Sequence, residues 1–479
     1  MKSNRVSVRR GLVTFSALAL FACQTAPITD GPRKPASVSD EGKKAMEAVA
    51  FGGLDKIHTD ALLVYKDGKL LYSRYDRGYD ETKKHLSWSM GKSISALVAA
   101  RAVNEGKLGY GDALSKWVPQ YKGTATLLDV FQMSSGLSFK EEYAGIPVDS
   151  DATKMLYLDG IDVGMAPYTA TRKMRPEKPG EYFYYSSGDA NLIQEAVKNA
   201  IGDQKTYDAY PWTAFFDKLD IKATFEQDVT GTFVGSSYIY MTAPEYARIG
   251  QLVANRGVWN KEQIIPTDYF EKLNEVAPGV MKNALSGTSQ TRAYSMQTTT
   301  NRPITGRHIG SEYPDLPVDS ILMIGHQGQL VIASPSQNLV IVRLATDHGD
   351  PFNPHRQELF AAIKKFVTED NGLPLETAGT QKESDDAIKA AALPKKGAKL
   401  WDYFKVPHLI RALYAKEMCS CLYVEKRTND ECKEDLKQSL PILGIGIPNE
   451  KKGTFKAFLG LNGSKAKFHG DRLGCTLEK

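Results

Sequence analysis

Strand-forming segments stand at both ends of one long stretch of this chain, and helix-forming segments lie between them. Residues 61–75 predict two strands around an Asp67-Gly68 turn. Residues 320–345 predict further strands broken by short turns, and a helix is predicted after them, over residues 356–367. Strands from the two ends need partners, so we expect one sheet closed by both ends of the domain, with helices packed against it. The sequence therefore predicts an α/β (α+β) fold.

Two segments of the middle stretch carry clear helical patterns. Apolar side chains recur at helical spacing from Ile94 to Ala102, which predicts a buried helix. Residues 241–257 predict a second helix, because Thr242 and Glu245 match a capping box and Gly257 is a typical stop signal.

Composition divides the 479 residues into five parts. Basic residues precede the apolar run Gly11–Phe21, which is too short to span a bilayer and therefore predicts a secretory signal peptide. The predicted parts are the signal peptide over residues 1–22, a tether over 23–45, the main domain over 46–369, a linker over 370–399 and a small cysteine-containing module over 400–479.

The end of the signal peptide resembles the lipobox of bacterial lipoproteins. Leu20 and Ala22 precede Cys23, although Phe21 is bulkier than that pattern usually has. The resemblance implies that Cys23 is lipidated. The mature protein is then expected to be an exported lipoprotein, anchored to a membrane through its N-terminal lipid, in the periplasm or at the cell surface. A plain secreted protein is the alternative.

The remaining four cysteines lie near the C-terminus. An exported compartment is oxidising, so we expect one or two disulfides among them, in one of three pairings between which the sequence does not choose. A zinc site is the alternative, but no CxxC pair is present and one histidine, His469, lies between the last two cysteines. These cysteines are Cys419, Cys421, Cys432 and Cys475.

Ser89 and Lys92 form an SxxK pair at the start of the first predicted helix. A serine hydroxyl is a poor nucleophile at neutral pH and needs a base within hydrogen-bond reach. At positions i and i+3 the two side chains lie on one face of the helix, so Lys92 is placed to take the serine proton. Backbone N–H groups at the helix N-terminus would stabilise an oxyanion. SxxK alone is a common pattern, and an ordinary helix start explains it equally simply.

Two further motifs follow in the order kept by the serine beta-lactamase and penicillin-recognising family. They are Tyr185-Ser186-Ser187 and, later, His326-Gln327-Gly328. Framework stretches such as EGKLGYGDALSKWVPQY and MTAPEYARIGQLVANRGVWNKEQIIP resemble its class C branch with the esterase and amidase relatives, and SWSMGKS is most similar to 6-aminohexanoate-dimer hydrolases. The resemblance covers roughly residues 56–367. It implies a beta-lactamase-like antiparallel sheet flanked by helices, an all-helical subdomain, and Ser89 as the nucleophile.

The resemblance also implies roles for residues of the second motif. Tyr185 matches the tyrosine of the family's YxN motif, and a phenol beside cationic side chains can act as base toward Ser89 and then as acid toward the leaving group. The third position is Ser187 instead of asparagine, which is similar to the 6-aminohexanoate oligomer hydrolases. Because that asparagine normally binds the substrate amide, Ser187 in this substrate-binding place disfavours penicillin recognition.

The third motif takes the place of the family's KTG triplet on the strand lining the site. A histidine at the first position, His326, is similar to amidases, esterases and some D-amino-acid peptidases of the family, and it suits neutral substrates because it carries no permanent cation. By the same resemblance, the backbone N–H groups of Ser89 and Gln329 form the oxyanion hole. Gly328 would let the substrate backbone approach the strand.

Other candidate residues carry weaker patterns. His85 and Trp88 either shape the acyl pocket or pack beneath it, and Asp347-His348 predicts a solvated turn rather than a second acid and base pair. The chain contains no HExxH, GxSxG, Walker or dinucleotide-binding motif, so we predict no metal and no cofactor. A net charge of +5 without long blocks of like charge gives no reason to expect nucleic acid as a partner.

The C-terminal module resembles a short cysteine-containing segment with a GCTL-like end, which many bacterial relatives of this hydrolase carry ahead of the catalytic domain. We predict a small α+β unit with disulfides. It serves either as a structural cap or as a lid over the active site.

Together these patterns predict a membrane-tethered serine hydrolase that cleaves an amide or ester bond through an acyl-enzyme at Ser89. An amidase, D-peptidase or esterase acting on a small-molecule or peptide substrate is favoured over a beta-lactamase. The alternative is a penicillin-binding-like sensor, or a cell-wall peptide-binding module, that is acylated without turnover. The sequence gives no indication of the oligomeric state.

Overall fold

A computed structural model describes nine ranges of the chain, all within one compact unit that begins at Ala36. The predicted signal peptide, Cys23 and the predicted linker over 370–399 lie outside the described residues, as does His348. The described ranges are 38–54, 57–141, 147–283, 292–304, 310–347, 355–367, 405–439, 445–459 and 462–478.

Helices and strands alternate in blocks along the described residues. The helices are α1 (Asp40–Phe51), α2 (Met90–Asn104), α3 (Leu114–Trp117), α4 (Leu127–Phe131), α5 (Asp151–Tyr157), α6 (Gly160–Val163), α7 (Met165–Ala170), α8 (Ser187–Ile201), α9 (Gln204–Ala214), α10 (Ala243–Ala254), α11 (Thr267–Asn274), α12 (Pro278–Asn283), α13 (Arg356–Phe366), α14 (Val406–Tyr423) and α15 (Asn429–Ser439). The strands are β1 (Thr59–Lys66), β2 (Lys69–Tyr75), β3 (Lys84–Leu86), β4 (Thr224–Phe225), β5 (Ile239–Thr242), β6 (Val258–Trp259), β7 (Glu262–Gln263), β8 (Ala293–Ser295), β9 (Thr298–Thr300), β10 (Ile321–Ile324), β11 (Leu330–Ser334), β12 (Leu339–Ala345), β13 (Ile445–Asn449), β14 (Thr454–Leu459), β15 (Asn462–Phe468) and β16 (Cys475–Glu478).

A seven-stranded antiparallel sheet of order β2-β1-β12-β11-β10-β9-β8 forms the centre of the hydrolase body. The expected closure by both ends of the domain is confirmed, because β1 pairs with β12. Successive residues of β12 alternate between the two faces: Ile341 joins the apolar cluster beneath α1 and α13, while Val340 and Val342 join the one that contains α2 and α10. Burying each such aliphatic side chain stabilises the fold by roughly 1.5–3 kcal/mol.

The two ends of the hydrolase body meet at one place. Val38 and Val367 form an antiparallel bridge, and the Ser39 N–H donates to the Phe366 carbonyl over 3.0 Å. Helix α1 then runs against α13, where a Cβ at Gly42 would lie 2.3 Å from the backbone nitrogen of Phe366. Residues 40–45, which composition assigned to the tether, form the first turns of α1.

Two smaller parts of the body position the candidate site. Helices α3 to α9 form the helical region predicted by the family resemblance, and a three-stranded antiparallel sheet of order β3-β5-β4 lies beside it. The predicted capping box of α10 is confirmed, because Thr242 accepts from the Glu245 N–H and the Glu245 carboxylate accepts from the Thr242 N–H.

The C-terminal module is a four-stranded antiparallel sheet of order β13-β14-β15-β16 packed on α14. One or two disulfides were expected, with the pairing open, and two are present: Cys419 pairs with Cys475, and Cys421 with Cys432. These sulfurs are therefore not a zinc site. The module is continuous with the body, since Met418 and Phe455 share one apolar cluster with Tyr240. The predicted fold class is thereby confirmed. Among the described residues, none of the helices combines the length and the hydropathy of a membrane-spanning segment.

Candidate active site

Ser89 stands at the N-terminus of α2, directly after the short strand β3. The turn between strand and helix is tight, and Trp88 adopts a left-handed conformation with φ of 44°. The neighbouring Ser87 fixes this turn from below: its N–H donates to the Ile239 carbonyl over 2.8 Å and its hydroxyl to the Ser237 carbonyl over 2.6 Å. A strained residue held by such bonds is typical of sites where one side chain must be aimed. The helix N-terminus presents backbone N–H groups and positive potential beside the Ser89 hydroxyl.

Lys92 reaches back from the first turn of α2 to Ser89. Its Nζ lies 2.9 Å from the Ser89 Oγ and donates also to the Ser236 carbonyl over 3.2 Å. The Lys92 side chain is 1% exposed, and Nζ stands 4.9 Å from the ring centroid of Tyr185. The structure therefore brings together all three residues that the sequence assigned to catalysis.

Ser236 is held in place by an asparagine of α8. The Asn191 Oδ1 accepts from the Ser236 N–H over 3.3 Å, and the Asn191 Nδ2 donates to the Ser236 hydroxyl over 3.4 Å. Both residues are buried. The carbonyl that receives Lys92 is thus fixed by a pair of hydrogen bonds from a neighbouring element.

Tyr185 and Ser187 flank the start of α8. The Tyr185 ring packs edge-on against Tyr294, with centroids 6.1 Å apart. Ser187 is buried, and its hydroxyl and N–H donate to the two carboxylate oxygens of Glu141 over 2.6 and 2.7 Å. The predicted substrate-binding hydroxyl is therefore already engaged as a donor in this structure, and the role of Ser187 toward substrate stays a prediction.

A second buried carboxylate follows in the first turn of α8. Asp189 accepts from the Ser135 hydroxyl over 2.8 Å, and its N–H donates to the Ser186 hydroxyl over 3.1 Å. Burial raises the pKa of Asp189 to about 7, although the hydrogen bonds of Ser135 and Ser186 with the carboxylate oppose the rise. The Asp189 carboxylate ties the start of α8 to the loop after α4, and its N–H holds Ser186, the residue next to Tyr185.

The third motif lies in a 3₁₀ turn between β10 and β11, whereas the sequence placed it on a strand. His326 is exposed, and its ring stands edge-on to Trp88 with centroids 5.6 Å apart. The Trp88 Nε1 donates to the Gln327 side-chain oxygen over 2.9 Å. The turn is forced by left-handed backbone at Gln327 and Gly328, which no strand accommodates. It nevertheless brings His326 next to the residue that precedes the nucleophile.

A buried ion pair explains why residue 328 is glycine. Arg343 and Asp347 are both 0% exposed and form a bidentate pair over 2.8 and 2.9 Å. The Arg343 guanidinium also donates to the Gly328 carbonyl over 3.0 Å, and the Asp347 N–H donates to the Gln327 carbonyl over 3.2 Å. The prediction of a solvated turn at Asp347 is wrong, because this carboxylate is the buried partner of a charge on β12. Together the pair holds the turn that carries His326.

Gln329 follows the turn at the start of β11 and is fully buried. Its side-chain amide donates to the Ala345 carbonyl, and its side-chain oxygen accepts from the Ala345 N–H over 3.3 Å. These bonds fix the backbone at residue 329 to β12. The proposed oxyanion role of the Gln329 N–H stays a prediction.

His85 packs beneath the site, while Trp88 lines it. The His85 Nε2 lies 3.0 Å from the Asp60 Oδ2 and the residue is 3% exposed. Burial lowers the pKa of His85, but the hydrogen bond and charge of Asp60 raise it further, so the pKa lies above its ordinary value. Trp88 is partly exposed and contacts both Gln327 and His326.

Comparisons with known proteins show the family to which this chain belongs. Residues 47–364 match the family described as Beta-lactamase. The chain belongs to this family. A curated relative, the 6-aminohexanoate-dimer hydrolase of Paenarthrobacter ureafaciens, is 23% identical over 322 residues, which cover 65% of this chain and 78% of the relative. The family match and this relative show that the present chain is one of the hydrolases built on the serine beta-lactamase fold.

Solved structures show the same fold at low identity. EstCE1, a hydrolase with promiscuous acyltransferase activity, superposes with a TM-score of 0.54 at 12% identity, over 67% of this chain and 98% of its own. SurE, solved with D-Leu, superposes with a TM-score of 0.50 at 14% identity, over 90% of each chain.

Several residues that build this Beta-lactamase family site stand outside its motifs. Ser236 and Asn191 hold Lys92, Glu141 holds Ser187, and Arg343 holds the turn of the third motif. One of them left a signal in the sequence, since an arginine within the apolar run of β12 requires a buried partner. The described residues contain no cluster of three or more His, Cys, Asp or Glu side chains that could hold a metal ion.

Proposed function

We propose that this member of the Beta-lactamase family cleaves an amide or ester bond through a covalent acyl-enzyme at Ser89. The observation that carries the proposal is the 2.9 Å contact between the Lys92 Nζ and the Ser89 Oγ at a helix N-terminus. That distance allows proton transfer in either direction, and the buried lysine is kept close by its second bond to Ser236.

The reaction proceeds in two balanced halves. In the first, the Ser89 Oγ gives its proton to Lys92 or Tyr185 and bonds to the substrate carbonyl carbon, and the negative charge moves to the carbonyl oxygen near the N-terminus of α2. The tetrahedral intermediate then expels an amine or alcohol, which takes up that proton. In the second half, water gives a proton to the same base, attacks the acyl carbon and releases Ser89 with its proton restored.

The surroundings of the pair favour a neutral amide or ester over a beta-lactam. Ser187 stands where an asparagine would bind a penicillin amide, and its hydroxyl donates to Glu141. His326 stands in place of a lysine, beside Trp88 at the exposed edge of the site. The named activity of the Paenarthrobacter relative, hydrolysis of a 6-aminohexanoate dimer, is one amide reaction of this kind.

The test is labelling of the full chain, in mild detergent, with a fluorophosphonate probe, followed by turnover of p-nitrophenyl esters, an aminohexanoate dimer and D-alanyl peptides. We expect labelling and steady turnover, both lost in Ser89→Ala. Labelling without turnover would instead support an acylatable sensor. Absence of labelling in folded wild-type protein would reject the Ser89 mechanism.

We also propose that the protein is exported and anchored to a membrane through lipid on Cys23. The proposal rests on the sequence Leu20-Phe21-Ala22-Cys23 after a basic and apolar leader. Metabolic labelling with palmitate and partition into Triton X-114 test it. Both should be lost in Cys23→Ala, and retention of the label in that variant would contradict the assignment.

A further inference from the structure

The small sheet β3-β5-β4 connects both halves of the Ser89–Lys92 pair. Strand β3 leads directly into Ser89, and the carbonyl that receives Lys92 belongs to Ser236, which stands just before β5. The two strands pair with each other, with Leu86 opposite Tyr240. The distance between nucleophile and base therefore depends on where this sheet sits.

Helix α14 of the C-terminal module lies against that sheet. The Lys416 Nζ stands 3.8 Å from the ring centroid of Tyr238, the residue directly before β5. Tyr238 in turn faces Trp88, with ring centroids 6.4 Å apart. The module thus contacts Tyr238 directly, and Tyr238 in turn contacts the residue that precedes Ser89.

A single buried carboxylate anchors the module there. Glu226 is 0% exposed, and its Oε2 lies 2.5 Å from the Lys416 Nζ. Its Oε1 accepts from the Ser420 hydroxyl over 3.0 Å and from the Cys475 N–H over 2.8 Å. The Glu226 N–H donates to the Tyr238 carbonyl over 3.0 Å. Glu226 therefore joins α14 and β16 to the backbone that precedes β5.

Among the partners of Glu226 just described, Lys416 is the one that carries a compensating charge. Burial raises the pKa of Glu226, and the charge of Lys416 opposes the rise. A carboxylate left in an apolar interior without its cation is strongly unfavourable, so it protonates or the structure around it moves. Either response alters the contacts that fix Tyr238, and with it the Ser236 carbonyl.

We propose that Lys416 of the C-terminal module is a positioning residue for the active site, acting through Glu226 and Tyr238 on the Ser89–Lys92 pair. The proposal rests on the proposed function of that pair. It makes the module a part of the catalytic architecture, attached behind the nucleophile.

The kinetic test compares Lys416→Met with Lys437→Met in the full chain. Lys437 has an exposed side chain on helix α15 of the same module and pairs with Glu434, so it provides a matched loss of charge. A misplacement of catalytic groups by about 1 Å can cost about 100-fold in rate, so we expect Lys416→Met to lower kcat by roughly 10- to 100-fold with little change in KM. The kcat of Lys437→Met should remain within about twofold of the wild-type kcat.

A double variant separates positioning from loss of folding. In Lys416→Met/Glu226→Gln the glutamine still accepts from Ser420 and from the Cys475 N–H, and residue 226 carries no charge that needs a cation, so most of the lost kcat should return. Equal kcat in Lys416→Met and Lys437→Met would overturn the proposal. So would a loss of kcat that the double variant does not restore.

An activity-independent readout distinguishes failure of this inference from failure of the proposed function. Protein labelled with 5-fluorotryptophan gives a ¹⁹F resonance for Trp88, assigned by its absence in Trp88→Phe. We expect this resonance to shift in Lys416→Met, to return in the double variant, and to stay fixed in Lys437→Met. An unshifted resonance in Lys416→Met would reject the inference even if Ser89 is the nucleophile.

Discussion

Replacing Gly328 by alanine tests whether the buried ion pair holds the turn beside the active site. A Cβ at residue 328 would lie 2.1 Å from the Arg343 Nη1 and 2.1 Å from the Asp347 Oδ2. Neither atom can yield, because the two side chains are 0% exposed and bonded to each other and to the backbone. The substitution therefore either separates the pair or opens the turn.

The magnitude follows from two contributions. Gly328 has φ of +83°, and an alanine in the left-handed region costs about 1–2 kcal/mol. Breaking a buried ion pair costs about 3–5 kcal/mol. The sum, about 4–7 kcal/mol, is comparable with the whole stability of a typical domain, about 5–15 kcal/mol.

Gly202 supplies the matched control. It ends α8 with φ of +91°, and no heavy atom lies within 4 Å of the place where its Cβ would be. Gly202→Ala therefore carries the backbone cost alone, about 1–2 kcal/mol.

Urea unfolding of the full chain, followed by tryptophan fluorescence and far-UV circular dichroism, measures both variants. We expect Gly328→Ala to lower the first unfolding midpoint far more than Gly202→Ala, and to reduce hydrolysis of p-nitrophenyl ester because the turn carrying His326 moves. Equal losses of stability in the two variants would show that the backbone conformation alone matters, and would refute the argument from the ion pair.

Three further predictions concern the support of the site and the module. Burial raises the pKa of Asp189 to about 7, so the contribution of this residue to stability is complete below about pH 4 and is lost as the pH rises through 7. The urea midpoints measured at pH 5 and at pH 8 should therefore differ less in Asp189→Asn than in wild type. Asn191→Leu removes both bonds to Ser236 and should lower the acylation rate seen with the fluorophosphonate, whereas a wild-type rate would show that Ser236 is held without it. The disulfides close loops with sequence separations of 56 and 11 residues. By chain entropy they stabilise the folded state by about 4 and 3 kcal/mol. Dithiothreitol should therefore raise amide hydrogen exchange in residues 405–478 first, and unchanged exchange there would contradict this.

Local patterns in the sequence predicted the parts of the fold that are set by neighbours in the chain. The hairpin around Asp67-Gly68 and the capped helix after Thr242 both formed as expected, because turn conformation and helix capping depend on residues a few positions apart. The SxxK pair is of the same kind, since one helical turn alone brings Lys92 to Ser89.

Contacts between distant segments could not be predicted from the sequence. Asp347 looked like a turn residue, and its ion-pair partner Arg343 is only four positions away. Its burial also involves a distant segment, because its Oδ1 accepts from the His58 N–H over 2.8 Å. The engagement of Ser187 by Glu141 joins residues 46 positions apart. The disulfide pairing was left open for the same reason, because it is decided by how α14 packs on β16 and α15.

The bridge between Val38 and Val367 bears on how parts of this chain can be rearranged in evolution. The first and last described residues of the hydrolase body, Val38 and Val367, are adjacent. A unit fused to either end is therefore attached at nearly the same position. The sequence resemblance predicts that the C-terminal module is the counterpart of a cysteine-containing segment that precedes the catalytic domain in related sequences. A change in the order of the two segments within the chain leaves the attachment position on the hydrolase body almost unchanged. The same adjacency makes the body a suitable subject for circular permutation, with new termini opened in an exposed loop.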